Sequence, residues 1–187
     1  MERFQLTIAG AALLIGSSVN ANLPITNNDG CLEGPMAQFG QYLGSWKITD
    51  SQLRADGSGW DPGAGARWDW FCLGDGVAVQ DIWLPSGGGT GTNVRTYNKK
   101  TESWEILWTF TGMDGYQQLG AKHDEQSGQT VIDYLSPKPS PLRRITFFPP
   151  NKTGWNWKME QSTDDGETWR EVYRIVATPW ADESADP

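Results

Sequence analysis

The chain has 187 residues, a net charge of −8, eleven tryptophans, one histidine and two cysteines. That length holds one domain with a sizeable core rather than two, and it is about half of what a six-bladed propeller needs at roughly 40–50 residues a blade. The acidic balance argues against nucleic acid, which rewards basic patches, and against anionic membrane surfaces; a lone histidine without a Cys-x-x-Cys leaves no set for zinc or haem, so no metal and no cofactor is expected.

The first 21 residues have the pattern of a secretory signal. Arg3 stands in a short basic region, "LTIAGAALLIG" is an apolar run too short to span a bilayer, and Val19 and Ala21 fit a small-residue cleavage site. A periplasmic or secreted protein is expected, with a mature chain starting near Asn22 and no span within it. Residues 22–40 form an N-terminal segment, 41–178 the folded barrel and 179–187 an acidic tail. In an oxidising compartment Cys31 and Cys72 make one disulfide the natural pairing; two buried free thiols are the alternative. Closing a loop of about 40 residues contributes roughly 4 kcal/mol in the chain-entropy model.

Within the N-terminal segment, "GPMAQFGQYLG" is the one helical candidate. Met36, Phe39 and Leu43 share a face, Pro35 sits near the start and Gly44 can end it. A Cys31–Cys72 bond would fasten this segment across one barrel end, so that Met36, Phe39 and Leu43 plug it and the ligand enters at the other.

Ten strand-like runs follow: "SWKITDSQLR", "GARWDWFCL", "VAVQDIWL", "TNVRTYN", "SWEILWTF", "YQQLGAK", "TVIDYLS", "LRRITFF", "GWNWKMEQS" and "TWREVYRIV". Short turns separate them, among them "GDG", "PSGGG", "NKKTE" and "DEQSG". Short strands at regular spacing with turn signals predict an all-β fold of about ten strands, an antiparallel barrel or sandwich, and the mostly short turns favour an up-and-down β-barrel order over Greek-key crossings. His123, in "KHDEQSG", reads as a solvated loop residue. "STDDGETW", Ser162 to Trp169, resembles the Asp-box of sialidases and other propellers. With one good copy in the chain, it reads as a tight hairpin rather than a catalytic Asp164: Ser162 and Asp164 bond turn amides and Gly166 takes positive φ.

The excess of tryptophan is the strongest functional signal. Trp68 and Trp70 share a face with Cys72. Trp104, Ile106, Trp108 and Phe110 share another, as do Trp155, Trp157 and Met159, and Trp46 alternates with Ile48. A barrel of this strand count can hold a ligand, and indoles supply apolar area with N–H donors. The candidate ligand-binding residues are therefore Trp46, Trp68, Trp70, Trp83, Trp104, Trp108 and Trp157, with Asp81, Arg95 and Arg144 as polar anchors. If Asp81 and Arg95 both point inward they can pair, which offsets the cost of burying either alone.

The pieces "YLGSWKI", "WDWFCLGDGVAVQDIW", "GTNVRTYNKKTESWEILW" and "RITFF…GWNWKMEQSTDDGETWREVYRI" resemble a group of mostly uncharacterised bacterial lipocalin-like proteins of the calycin class, in family order over most of residues 41–177. The resemblance implies a closed antiparallel barrel with a ligand-sized interior and no particular activity. Nitrobindin, a ten-stranded haem barrel, is a looser resemblance. It holds iron through a histidine near the C-terminal end of the fold, and no histidine follows His123 here, so haem does not carry over.

Three readings follow. The first is an exported barrel binding a hydrophobic or aromatic small molecule. The second is a cyclase, isomerase or hydratase on the same barrel, with Asp81, Glu171, Tyr97 or Tyr173 as acid/base groups. The third is an interaction module using exposed aromatics, for which Trp60 and Trp180 are the natural candidates.

Overall fold

The computed structural model describes residues 29–181. The signal-like segment and the end of the acidic tail lie outside the described residues. A 3-10 turn (Asp29–Cys31), a second (Gly34–Met36) and a one-turn helix α1 (Ala37–Gly40) precede eleven strands. These are β1 (Gly44–Leu53), β2 (Trp60–Pro62), β3 (Ala66–Leu73), β4 (Ala78–Pro85), β5 (Gly91–Asn98), β6 (Ser103–Phe110), β7 (Gln117–Asp124), β8 (Gln129–Ser136), β9 (Leu142–Phe147), β10 (Trp155–Ser162) and β11 (Arg170–Pro179). From β3 to β11 each strand pairs antiparallel with its sequence neighbour, β3 pairs with β1, and β11 pairs back onto β1 from Trp46↔Pro179 to Gln52↔Tyr173. Ten strands thus close an up-and-down barrel, and closure removes the open edges.

β2 has no counterpart among the ten runs expected from the sequence. Its three residues include Pro62 and sit in a Gly-rich stretch without alternation, so only pairing with the far half of β1, Ser51 to Leu53, makes them a strand. His123 differs from its expectation too. It lies on β7 with its side chain 10% exposed, and Nδ1 is 2.8 Å from the Thr130 hydroxyl.

The alternating aromatics fill one half of the barrel. Trp70, Trp104, Phe147 and Trp155 are buried around Phe39 and Tyr42, both fully buried. Phe39 meets Trp104 edge-on at 4.8 Å and Tyr42 meets Trp155 at 4.9 Å, the tilted geometries aromatic quadrupoles favour. The plug is therefore Phe39 with Tyr42, while Met36 and Leu43 are only half-buried. A 3.6-residue period puts Met36 and Leu43 beside Phe39, but the turn is tightened by i to i+3 bonds, Tyr42 N to Phe39 O and Leu43 N to Gly40 O, both 3.1 Å. That geometry eclipses residues three apart and aligns Tyr42 with Phe39.

Polar contacts fix the plug. The Tyr42 hydroxyl donates to Phe148 O at 3.1 Å, Trp46 Nε1 to Tyr42 O at 2.7 Å and Trp104 Nε1 to Gln38 Oε1 at 2.9 Å. Cys31 and Cys72 form the disulfide, with Cα atoms 5.8 Å apart. Gly40 is pressed against the Cys31 carbonyl so closely that a Cβ there would lie 1.7 Å from the oxygen, so only glycine fits.

The hairpin "STDDGETW" is a closed hydrogen-bond circuit. Ser162 Oγ donates to Asp164 Oδ1, Gly166 N donates to Ser162 Oγ, the Thr168 amide and hydroxyl donate to Asp164, and Trp169 Nε1 donates to Gly166 O. The bonds from Ser162 and Thr168 hold Asp164 down at a pKa of about 2.

Candidate functional site

Above the plug the barrel encloses a cavity of about 470 Å3. Trp68, Trp83, Trp108 and Trp157 form its aromatic walls, and Leu119, Ile132, Ile145 and Ile175 complete the apolar lining. It opens at the end away from the plug, where Arg143 and Met113 are exposed. The burial pattern follows from strand phase: with Trp104 and Ile106 inward on β6, Trp108 and Phe110 must follow them up the same face.

Arg95 stands at the floor. Its Nη2 lies 2.6 Å from Asp81 Oδ2, and the two side chains are 1% and 0% exposed. Asn93 braces the acid. Its backbone N donates to Asp81 Oδ1 at 3.2 Å, and its Nδ2 lies 3.1 Å from both carboxylate oxygens. The guanidinium also stacks on Trp70 at 4.3 Å and Phe39 at 4.9 Å, so it links the cavity floor to the plug. Burial lowers the Arg95 pKa and Asp81 opposes that fall; an arginine keeps its charge through such a shift. Arg95 Nε and Nη1, with Trp68, Trp70 and Trp155 Nε1, are buried without a hydrogen-bond partner among the described residues. All five are donors.

Of the predicted residues, the fold brings Trp68, Trp83, Arg95, Trp108 and Trp157 to the cavity. Trp70 and Trp104 belong to the plug layer, and Trp46 lies half-buried beside Trp155. Asp81 lies beneath Arg95. Arg144 faces away from the cavity, with Nε 2.9 Å from Glu160 Oε2 and its guanidinium over Trp169 at 4.3 Å. Its neighbour Arg143 is the inward arginine. Thr146 and Arg144 share one face of β9 while Arg143, Ile145 and Phe147 share the other, and the register across the barrel turns the second set inward. Asn93 and Tyr134 also line the cavity; period two sets Asn93 on the face of Arg95 and Tyr134 on that of Ile132.

Burial raises the pKa of Tyr134, and burial with a hydrogen bond to Asp50 raises that of Tyr173. Both cavity tyrosines are thus protonated at neutral pH. No carboxylate among the described residues lines the cavity. Glu171 lies on the outward face beside Arg174 at 3.8 Å. Trp180 is exposed as expected, with the Arg67 guanidinium 5.0 Å from its ring, while Trp60 is half-buried with Arg174 over its ring at 3.6 Å.

The fold and site define a closed, ten-stranded antiparallel barrel enclosing an aromatic-lined cavity. No protein-family model matches the chain, and no curated protein matches it in sequence. Thirteen solved chains match in structure. One is the crystal structure of Rv2717c from M. tuberculosis, with a TM-score of 0.51 and 6% identity, covering 80% of this chain and 99% of that one. At that identity the likeness is one of fold.

Proposed function

We propose that the protein is an exported, lipocalin-like barrel of the calycin type that binds a hydrophobic or aromatic small molecule. The supporting observation is the cavity of about 470 Å3 walled by Trp68, Trp83, Trp108 and Trp157, within the size range of small-molecule sites. The barrel-enzyme reading has less support, because Asp81 is committed to Arg95 and Glu171 lies outside the cavity. The Cys31–Cys72 disulfide is consistent with an oxidising compartment. Among the described residues no helix is long and apolar enough to cross a membrane.

Titration with N-phenyl-1-naphthylamine, a neutral aromatic probe whose emission rises in apolar surroundings, tests the reading. Saturable one-to-one binding that Ile132→Trp abolishes, with far-UV circular dichroism unchanged, is the expected result. No saturable enhancement by the folded protein would remove the reading. Mass spectrometry of the exported protein should find its N-terminus near Asn22.

A further inference from the structure

A second concavity continues from the cavity over the barrel rim. This groove, of about 580 Å3, shares Arg143, Met159 and Tyr173 with the cavity. Its other lining includes Arg54, Arg170, Gln161 and Thr168, and no carboxylate among the described residues. Three arginines without an acid is an unexpected lining in a chain of net charge −8. Arg54 is held by Asp61 at 2.7 Å. Arg143 and Arg170 make no ion pair among the described residues, although both are exposed.

A β-bulge accounts for Arg170. Simple alternation from Tyr173, which faces the cavity, would turn Glu171 inward and Arg170 outward. The pairing of β10 with β11 instead jumps from Met159↔Tyr173 to Glu160↔Glu171, leaving Val172 as the extra residue. The phase inverts, Glu171 joins the outer face, and Arg170 joins the rim groove.

The cavity floor is the opposite case. Arg95 is already matched by Asp81, and its side chain is 1% exposed. A second anion there would be buried with no cation of its own, a costly arrangement. A neutral oxygen suits the floor donors, and a charged oxyanion suits the rim.

Resting on the binding reading above, we infer that the ligand is an amphiphilic anion: an aromatic or aliphatic body enters the indole-walled cavity first, and a carboxylate or sulfonate head stays at the rim on Arg143 and Arg170. The guanidinium fork suits such oxyanions better than a point charge does.

A matched pair of probes tests this. 1-Anilinonaphthalene-8-sulfonate carries the same aromatic skeleton as N-phenyl-1-naphthylamine plus one sulfonate. The sulfonate should bind more tightly, and the preference should shrink as salt rises from about 0.02 to about 0.5 M. Arg143→Gln/Arg170→Gln should weaken sulfonate binding about tenfold or more, the scale of charge-assisted hydrogen bonds, and lower the affinity of the neutral probe far less. Equal affinities unaffected by the double substitution would overturn the inference and leave the binding reading standing. A sulfonate preference that survives the double substitution but strengthens in Asp81→Asn would place the head at the floor and overturn it as well. Failure of both probes to bind folded protein would sink the binding reading and this inference with it.

Discussion

Replacing Asp81 with asparagine tests the centre of the barrel most directly. The wild-type carboxylate accepts from Arg95 Nη2 at 2.6 Å and from Asn93 through both oxygens. The amide of the Asp81→Asn variant would keep one acceptor and turn an NH2 group toward groups that are themselves donors. Arg95 would then be a buried cation without a counter-ion. Removing one partner of a buried pair costs about 3–5 kcal/mol, a large share of the roughly 5–15 kcal/mol that holds a domain folded. With a urea slope near 2 kcal/mol/M, the unfolding midpoint should fall by about 1.5–2.5 M. Because the pair is 1% and 0% exposed, the loss should be nearly the same at low and high salt. The double variant Asp81→Leu/Arg95→Met should be more stable than Asp81→Asn, since apolar groups of similar size carry no uncompensated charge. Urea unfolding followed by tryptophan fluorescence and far-UV circular dichroism compares both variants with the wild type. A loss below about 1 kcal/mol for Asp81→Asn, or a double variant less stable than the single, would refute the account of Arg95 as a cation held by Asp81.

Reducing the Cys31–Cys72 bond, which spans 41 residues, should cost at most about 4 kcal/mol. The loss should begin in the plug, so amides of residues 29–43 should gain hydrogen exchange before those of the strands; simultaneous loss across all strands would contradict this. Asp164 sets a pH dependence. Its folded pKa of about 2 lies below its ordinary value of 3.8, so its contribution is complete above the unfolded value and disappears as pH falls through the folded one. Between pH about 4 and about 2 the wild type should lose stability more steeply than Asp164→Asn in parallel thermal melts, and identical slopes would show that the circuit does not stabilise the hairpin.

The sequence by itself determined what depends on period and local chemistry. Alternation in Trp104, Ile106, Trp108 and Phe110 and in Trp155, Trp157 and Met159 identified inner faces, and these residues do point into the barrel. "STDDGETW" defined its own hairpin, because every bond in the circuit lies within eight residues. The two cysteines and the short turns indicated the disulfide and the up-and-down order. What the sequence left open was phase. A strand with mixed residues on both faces, such as "VAVQDIWL" or "RRITFF", has two readings one residue apart, and each turns every side chain to the other side. Only closure of β11 onto β1 and the register across the barrel decided between them. They set Asp81 under Arg95, Arg143 inside and Arg144 outside. The bulge at Val172 likewise exchanged Glu171 for Arg170 at the rim, since an extra residue is invisible until its partner strand is in place. Tyr42 was hidden for a related reason: the tightening of its turn comes from packing against Trp70, Phe147 and Trp155, contacts 28 to 113 positions away in the chain.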